Sequence, residues 1–424
     1  MTMQVQIRPV ARRLLLLTVF STGLLLIGLT TSLHVGAQIQ QFSSGSTGND
    51  GALNITAPGV TYLDAKAMNI DPAGDNIFNF TTINVASGSI LRISEVKVHG
   101  PVYFLATGDV VINGVIDLRG DDSPGPTASA AEQIPTYAGS GGYSGGLGGI
   151  SGDQNHQALP GNGPGGGVPG DINVISVATG GSFTTNRFLV PLVGGSGGGG
   201  INDNGQFGSQ GGAGGGALLI ASSTTIRLDG GDGNNGRIYA YGGYGGGRGC
   251  GGSGGAVRLV ANSIIGANYY GIHVAGQGGW GGCKSSGTNG LARLEANSLH
   301  FSLGGNVTGP GISSLPFALN LPTVPPPVIT VFSINGVAIN ANPFSFPDTI
   351  INTGSPVPVV VKATNLPTGA TVTLYLLSDT QPNQAIPVTL AGTTQASAGT
   401  VNVTFAPGGS RGFVKAAWAT LGTQ

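Results

Sequence analysis

Carboxylates bunch at two places in this chain. "IDLRGDD" sets Asp117, Asp121 and Asp122 close together, and "LDGGDGNNG" sets Asp229 and Asp232 three apart. Acids grouped on neighbouring strands are what polysaccharide lyases and hydrolases use, as acid and base or to hold calcium. A glycine–aspartate calcium loop needs its motif repeated periodically. "LDGGDGNNG" stands alone, so turn formation by Asp and Asn is the plainer reading. Arg119-Gly120-Asp121 spells an integrin-binding tripeptide, for which a turn corner is again the plainer account. His99, His156, His273 and His300 have no metal-ligand spacing and adjoin no nucleophile pattern. The glycine runs lack the lysine and strand–helix setting of a phosphate loop. The expectation is therefore no catalytic, cofactor-binding or metal-binding residue, and no cofactor. Two other groups remain. Tyr239, Tyr241, Tyr244, Tyr269, Tyr270 and Trp280 gather in one region and could form a glycan-contact platform. Alternatively, these rings cap the fold and pin nearby glycine segments. Cys250 and Cys283 are the only cysteines.

Elements that could position these groups emerge from a repeat. "GGALLIASSTTIRLDGGDGNNGRIYAYGG" begins at Gly215, "GGAVRLVANSIIGANYYGIHVAGQGG" at Gly254, "GLARLEANSLHFSLGGNVTG" at Gly290 and "GPVYFLATGDVVINGVIDLRG" at Gly100. Each has an aliphatic run closing on an alanine (Ala221, Ala261, Ala296, Ala106), then Ser, Asn or Thr. A second short run follows in most, and three copies add an alternating pair before glycine: Ile116/Leu118, Ile238/Ala240 and Ile272/Val274. Period-two alternation in runs this short signals strands. Three strands in about 20–26 residues, repeated, read as turns of a solenoid. One turn alone would gain roughly 9–18 kcal/mol from six inward side chains. Ordering its backbone costs on the order of 20–40 kcal/mol, so the turns must stack. Stacking would bring the glycine-rich excursions carrying Cys250 and Cys283 together, and a disulfide is expected. The excursion between Asp121 and Gly214 is much longer and holds strand-like pieces, "DINVISVATG" and "FLVPLV". Its glycines could lie as packed, polyglycine-like extended chains or form floppy linker.

The stretch "FNFTTINVASGSILRISEVKVHGPVYFLATGDVVINGVIDLRGDD" (residues 78–122) resembles a lead-in common in secreted bacterial proteins. With "GGAGGGALLIA" and "GGSGGAVRLVA", the chain resembles the glycine-rich, right-handed parallel β-helix group, broadly pectin-lyase-like, over roughly residues 52–309. These motifs are structural. The resemblance implies a fold and carries over no catalytic residue.

Composition agrees. Glycine supplies 79 of 424 residues, against about 7% in ordinary chains. Charged residues are 8% and hydrophobic residues 40%, which is not the composition of a disordered chain. Arg8, Arg12 and Arg13 precede the apolar "LLLLTVFSTGLLLIGL", and "HVGAQ" offers cleavage after Ala37, the pattern of a secretory signal peptide. An uncleaved anchor is the alternative. Removal takes the formal net charge from −1 to −4. Scattered charges without a basic patch exclude a nucleic-acid partner, and no membrane span is expected after signal removal. Beyond "LPTVPPP", a stiff proline linker, short strand runs and the turn signal Asn335-Gly336 indicate a β-sandwich. "NLPTGATVTLYL" resembles Ig-like or fibronectin-like modules of bacterial surface proteins, and Trp418 reads as core.

The expected fold is all-β: a right-handed parallel β-helix with glycine-rich loop insertions, followed by a small β-sandwich. The expected domains are a signal peptide (1–37), a glycine-rich β-helix (38–320), a Pro-rich linker (321–327) and an Ig-like sandwich (328–424). The expected function is a secreted or cell-surface, non-catalytic structural or adhesive scaffold, with a polysaccharide or cell-surface partner. The alternative is a carbohydrate-active β-helix enzyme.

Overall fold

Alternation along the aliphatic runs sends every second side chain to one interior, and the strands that result pair in parallel. The computed structural model describes residues 40–125, 134–149, 157–170, 175–203, 207–229, 235–266, 271–279, 281–339 and 347–416. The first strands are β1 (Gly51–Ile55), β2 (Gly59–Tyr62), β3 (Ile77–Val85), β4 (Ser89–Arg92), β5 (Val102–Ala106), β6 (Val110–Ile112) and β7 (Val115–Asp117). A hairpin, β8 (Ile201–Asp203) with β9 (Phe207–Ser209), lies in the long insertion. Then come β10 (Ala217–Leu228), β11 (Arg237–Tyr239), β12 (Ala256–Gly266), β13 (Ile272–His273), β14 (Leu291–His300), β15 (Val307–Thr308) and β16 (Gly311–Ser314). One parallel sheet runs β1-β3-β5-β10-β12-β14-β16, with β6 beside β3 and β10. The other runs β15-β13-β11-β7-β4-β2. The chain thus alternates between two sheets that share one core, in which Phe78, Phe80, Phe104, Ile116, Ile220, Leu259 and Ile272 are all fully buried.

Two expectations need correction. The first two runs of a repeat are not separate strands: in β10, β12 and β14 they form one continuous strand. The β10–β12 register shifts between Ser222 and Thr225 because β10 carries one extra residue there, as a bulge does. Stacked turns are also expected to set the closing alanines Ala221, Ala261 and Ala296 in one column, and Ala221 misses it. The residue aligned with Ala106, Ala261 and Ala296 is Ser222. Ala221 faces the opposite side, with Leu105, Leu219 and Val260. The buried Ser222 hydroxyl is satisfied by donating to the carbonyl of Gly108.

That opposite side of the first sheet is buried as well. Leu189 and Leu192 cover it, which explains why the runs read as continuously apolar, as parallel strands covered on both faces do. "FLVPLV" is therefore an irregular cover around the cis Val190–Pro191 peptide, not a strand. The described part of "DINVISVATG" holds a single 3-10 turn at Ile175–Val177.

The glycine segments are ordered by a threefold hydrogen-bond rotation. Gly211, Gly214 and Ala217 donate to the carbonyls of Gly146, Tyr143 and Ser140. Gly212 and Gly215 donate to Cys250 and Ser253, while Ala213 and Gly216 donate to Asp121 and Leu118. Every third residue returns to the same neighbour, the periodicity of a polyproline-II helix. Carbonyls 212 and 215 accept in turn from Gly198 and Gly195. At its glycines the bundle is packed too closely for a side chain. A β-carbon on Gly214 would lie 1.9 Å from the carbonyl oxygen of Gly195.

After the proline segment come β17 (Val328–Ile334), β18 (Val337–Ala338), β19 (Val357–Thr364), β20 (Thr371–Ser378), β21 (Gln384–Thr389), β22 (Ala391–Gly392), β23 (Ser397–Val403) and β24 (Ser410–Ala416). They form two antiparallel sheets, β18-β17-β19-β23-β22 and β21-β20-β24. Val361, Val372, Leu374, Leu376 and Val403 share the core of this β-sandwich-like unit. Asn335 and Gly336 both take positive φ between β17 and β18, the conformation a two-residue hairpin turn requires. The expected signal peptide and Trp418 lie outside the described residues, as does His156.

Candidate functional site

Outward-facing positions of the second sheet align into one row: Tyr62, Arg92, Asp117, Tyr239, His273 and Thr308 sit side by side across β2, β4, β7, β11, β13 and β15. The neighbouring residues Ile116, Ile238 and Ile272 point inward and fix which side chains face out. The row is chemically split. Its lower half is ionic and its upper half aromatic.

In the ionic half, Arg92 Nη1 donates to Asp117 Oδ1 at 3.0 Å and to the carbonyl of Arg119 at 2.8 Å. Arg92 Nη2 reaches Asp121 Oδ1 at 2.7 Å. Arg119 Nε lies 3.1 Å from Asp117 Oδ2, and its amide donates to Asp117 Oδ1. Both oxygens of the buried Asp117 are therefore occupied. Asp122 accepts from the Tyr244 amide at 2.7 Å. Burial raises the pKa of Asp121, with the Arg92 charge opposing. Nearby, burial pushes Glu95 up to about 7, opposed by the Ala138 amide and the Ser144 hydroxyl that donate to it. Glu95 escapes a sequence reading because no other acid flanks it in the chain.

In the aromatic half, the rings of Tyr239 and Tyr241 meet edge-on with centroids 5.5 Å apart, and Tyr239 meets His273 at 5.0 Å. Arg237 and Arg119 donate to the hydroxyls of Tyr239 and Tyr241, both at 3.1 Å. Tyr244 is exposed. Of the expected platform, Tyr239 and Tyr241 are thus brought together, whereas Tyr269, Tyr270 and Trp280 lie outside the described residues. Asp232 does too, and Asp229 faces Arg227 at 3.8 Å on the surface. Of the other described histidines, neither His99 nor His300 joins the row: His300 pairs with Ser298, and desolvation lowers the pKa of His99.

Cys250 and Cys283 are disulfide-bonded, with Cα atoms 5.5 Å apart. Cys250 is wholly buried within the glycine bundle.

A second charged cluster lies on the covered face of the first sheet. Glu295 is fully buried and takes Arg258 Nε and Arg293 Nε on one oxygen, each at 2.8 Å. Its other oxygen accepts Arg258 Nη2 at 3.2 Å and the Phe317 amide at 3.3 Å. Both guanidinium groups also lie over the Phe317 ring, at 4.3 and 5.0 Å. The signal for this cluster is the shared place of Arg258 and Arg293 in "AVRLVA" and "LARLEA". Among the described residues, no group of three or more His, Cys, Asp or Glu is arranged to hold a metal ion.

No protein-family model, no curated protein and no solved structure matches this chain.

Proposed function

We propose that this protein is an exported, non-catalytic scaffold that contacts glycan at a cell surface or in the extracellular matrix. In this reading the two parallel sheets are turns of a right-handed, pectin-lyase-like β-helix, because parallel crossovers are right-handed in about 98% of cases. The antiparallel unit is then an Ig-like module. The observation that carries the functional reading is the split row. Tyr239 and Tyr241 present ring edges and faces beside His273, while the acids next to them are tied to arginines or to a backbone amide. Amphipathic rings on a rigid sheet suit sugar faces. Tied carboxylates suit structure better than proton transfer.

The test is binding of the secreted mature chain to an array of bacterial and plant polysaccharides. Tyr239→Ala and Tyr241→Ala should each weaken retention about ten-fold, a loss of ~1.4 kcal/mol, with unchanged circular dichroism. Retention of no glycan, or retention indifferent to both changes, would sink the reading. N-terminal sequencing of the exported chain should begin at Gln38.

A second reading, a carbohydrate-active enzyme, draws on Glu95. A carboxyl with a pKa of about 7 near Asp121 has the poise of a general acid. Polysaccharide cleavage abolished by Glu95→Gln would favour it over the scaffold.

A further inference from the structure

A cavity of about 760 Å³ lies where the segment after β2 meets the proline segment and the start of the sandwich, within the ~300–1,000 Å³ usual for small-molecule sites. Its walls are fixed by side chains that bond backbone. On one wall the single helical turn Ala65–Met68 ends at Asn69, and Asp71 takes the amides of Asp75 and Asn76 on its two oxygens. Asp50 takes the amides of Asp71 and Asn79 in the same way. On the second wall, Asn76 Nδ2 donates to the carbonyl of His99. On the third, Asn365 Nδ2 donates to the carbonyl of Pro326 at 3.1 Å. Pro326 in turn lies so near Gly100 that a β-carbon added there would stand 2.7 Å from its own.

Other lining groups are not spent on those bonds. Asn49, Lys66, Asn69 and His99 line the cavity and are exposed. Lys66 and Lys97 against Asp50 and Asp71 bring the formal charge of the lining to zero. Desolvation lowers the pKa of His99, which leaves its ring uncharged near pH 7. Ile70, Val98, Pro325, Pro326 and Val328 add aliphatic C–H surface. We propose that this cavity binds a short neutral oligosaccharide, at a site separate from the tyrosine row. A pyranose carries hydroxyls around its rim and C–H groups on its faces. The amides of Asn49 and Asn69 donate and accept at once, as adjacent hydroxyls require, while Lys66 and His99 add N–H donors. The aliphatic walls take the C–H faces out of water. A charged sugar would lose hydration to a lining whose charges cancel. A flat aromatic ligand would find no Phe, Tyr or Trp to stack on among the described lining residues. The site shares with the scaffold reading only its class of ligand, and rests on different residues.

The experiment titrates the full mature chain calorimetrically with cellotetraose, maltotetraose and mannotetraose, and with tetragalacturonate as the charged comparison. Amide hydrogen exchange locates the bound sugar. At least one neutral tetrasaccharide should bind with a dissociation constant below about 1 mM, and tetragalacturonate roughly ten-fold more weakly or not at all. Binding should slow exchange in residues 65–76 and 97–100. Asn49→Ala should weaken it about ten-fold. Thr364→Trp, which fills the cavity from the end of β19, should abolish it. Exchange on the unmodified chain and the Asn49→Ala titration decide the matter even if the tryptophan variant misfolds. Binding of none of the neutral sugars overturns the proposal, as does tetragalacturonate bound equally well or binding indifferent to Asn49→Ala. Protection confined to residues 237–241 would assign the sugar to the tyrosine row, overturning this site while leaving the scaffold reading intact. Protection confined to the cavity segments would uphold this site and count against the row.

Discussion

The carbonyl oxygen of Gly195 stands 1.9 Å from the point where Gly214 would carry a β-carbon, while Gly214 itself donates to Tyr143 at 2.9 Å. Backbone meets backbone here, so no side-chain rotation can relieve an added methyl group. Gly214→Ala should destabilise the chain by more than the ~1–3 kcal/mol of ordinary overpacking. Gly304→Ala, with no atom within 4 Å of its would-be β-carbon, is the matched control. Urea melts of both variants check this, and equal midpoints would contradict the packing.

That bundle also marks where sequence reading stops. Aliphatic alternation reveals parallel strands, because inward and outward positions differ along "VIDL" and "RIYA". The Asn335-Gly336 turn is legible for the same kind of reason, since its backbone conformation suits few other pairs. Glycine runs carry no side-chain pattern, so their threefold hydrogen bonding leaves no periodic trace. Ser222 is hidden because one extra residue in β10 shifts the register beyond it, and an alanine next to it mimics the column. The Arg258–Glu295–Arg293 cluster sits in runs that otherwise read as core, and covering residues distant in sequence, Phe317 with Leu189 and Leu192, make that side an interior.

The Cys250–Cys283 bridge closes a loop of 33 residues. In the chain-entropy model such a closure contributes ~4 kcal/mol. Cys250 is buried among glycine segments that bond its own amide and carbonyl, to Gly199 and Gly212. Reduction should therefore lower the melting temperature and should slow as the protein is stabilised. A thermal scan with and without dithiothreitol tests this. An unchanged midpoint, with reduction verified by mass, would remove the bridge from the stability account.

Glu295 pairs with two arginines at once in a place closed to water. Removing that charge leaves two buried cations facing each other. Glu295→Gln should cost ~3–5 kcal/mol, as when one member of a buried ion cluster is deleted. Phe317 stacks on both guanidinium groups, so Phe317→Ala should also loosen the covering segment and expose it to limited proteolysis near residue 317. Cleavage no faster than in the unmodified chain would show that the segment is held by other contacts.

Glu95 makes folding stability depend on pH, with a definite sign. Its carboxyl titrates at about 7 in the folded chain against an ordinary value of 4.5. Between those values the folded state holds a proton that the unfolded state has released, so folding stability falls as pH rises. The contribution is complete below pH 4.5 and gone above about 7. Glutamine keeps the shape of the protonated acid and has no proton to lose. The stability of Glu95→Gln relative to the unmodified chain should therefore rise between about pH 4 and pH 8, by on the order of 1–3 kcal/mol. Asp71, raised to about 6 mainly by burial, bends the curve of both proteins in the same direction and cancels in the difference. Urea melts of the two proteins across that range measure the gap. A constant gap would mean that Glu95 titrates alike in the folded and the unfolded chain, and with it would fall the case for Glu95 as a general acid.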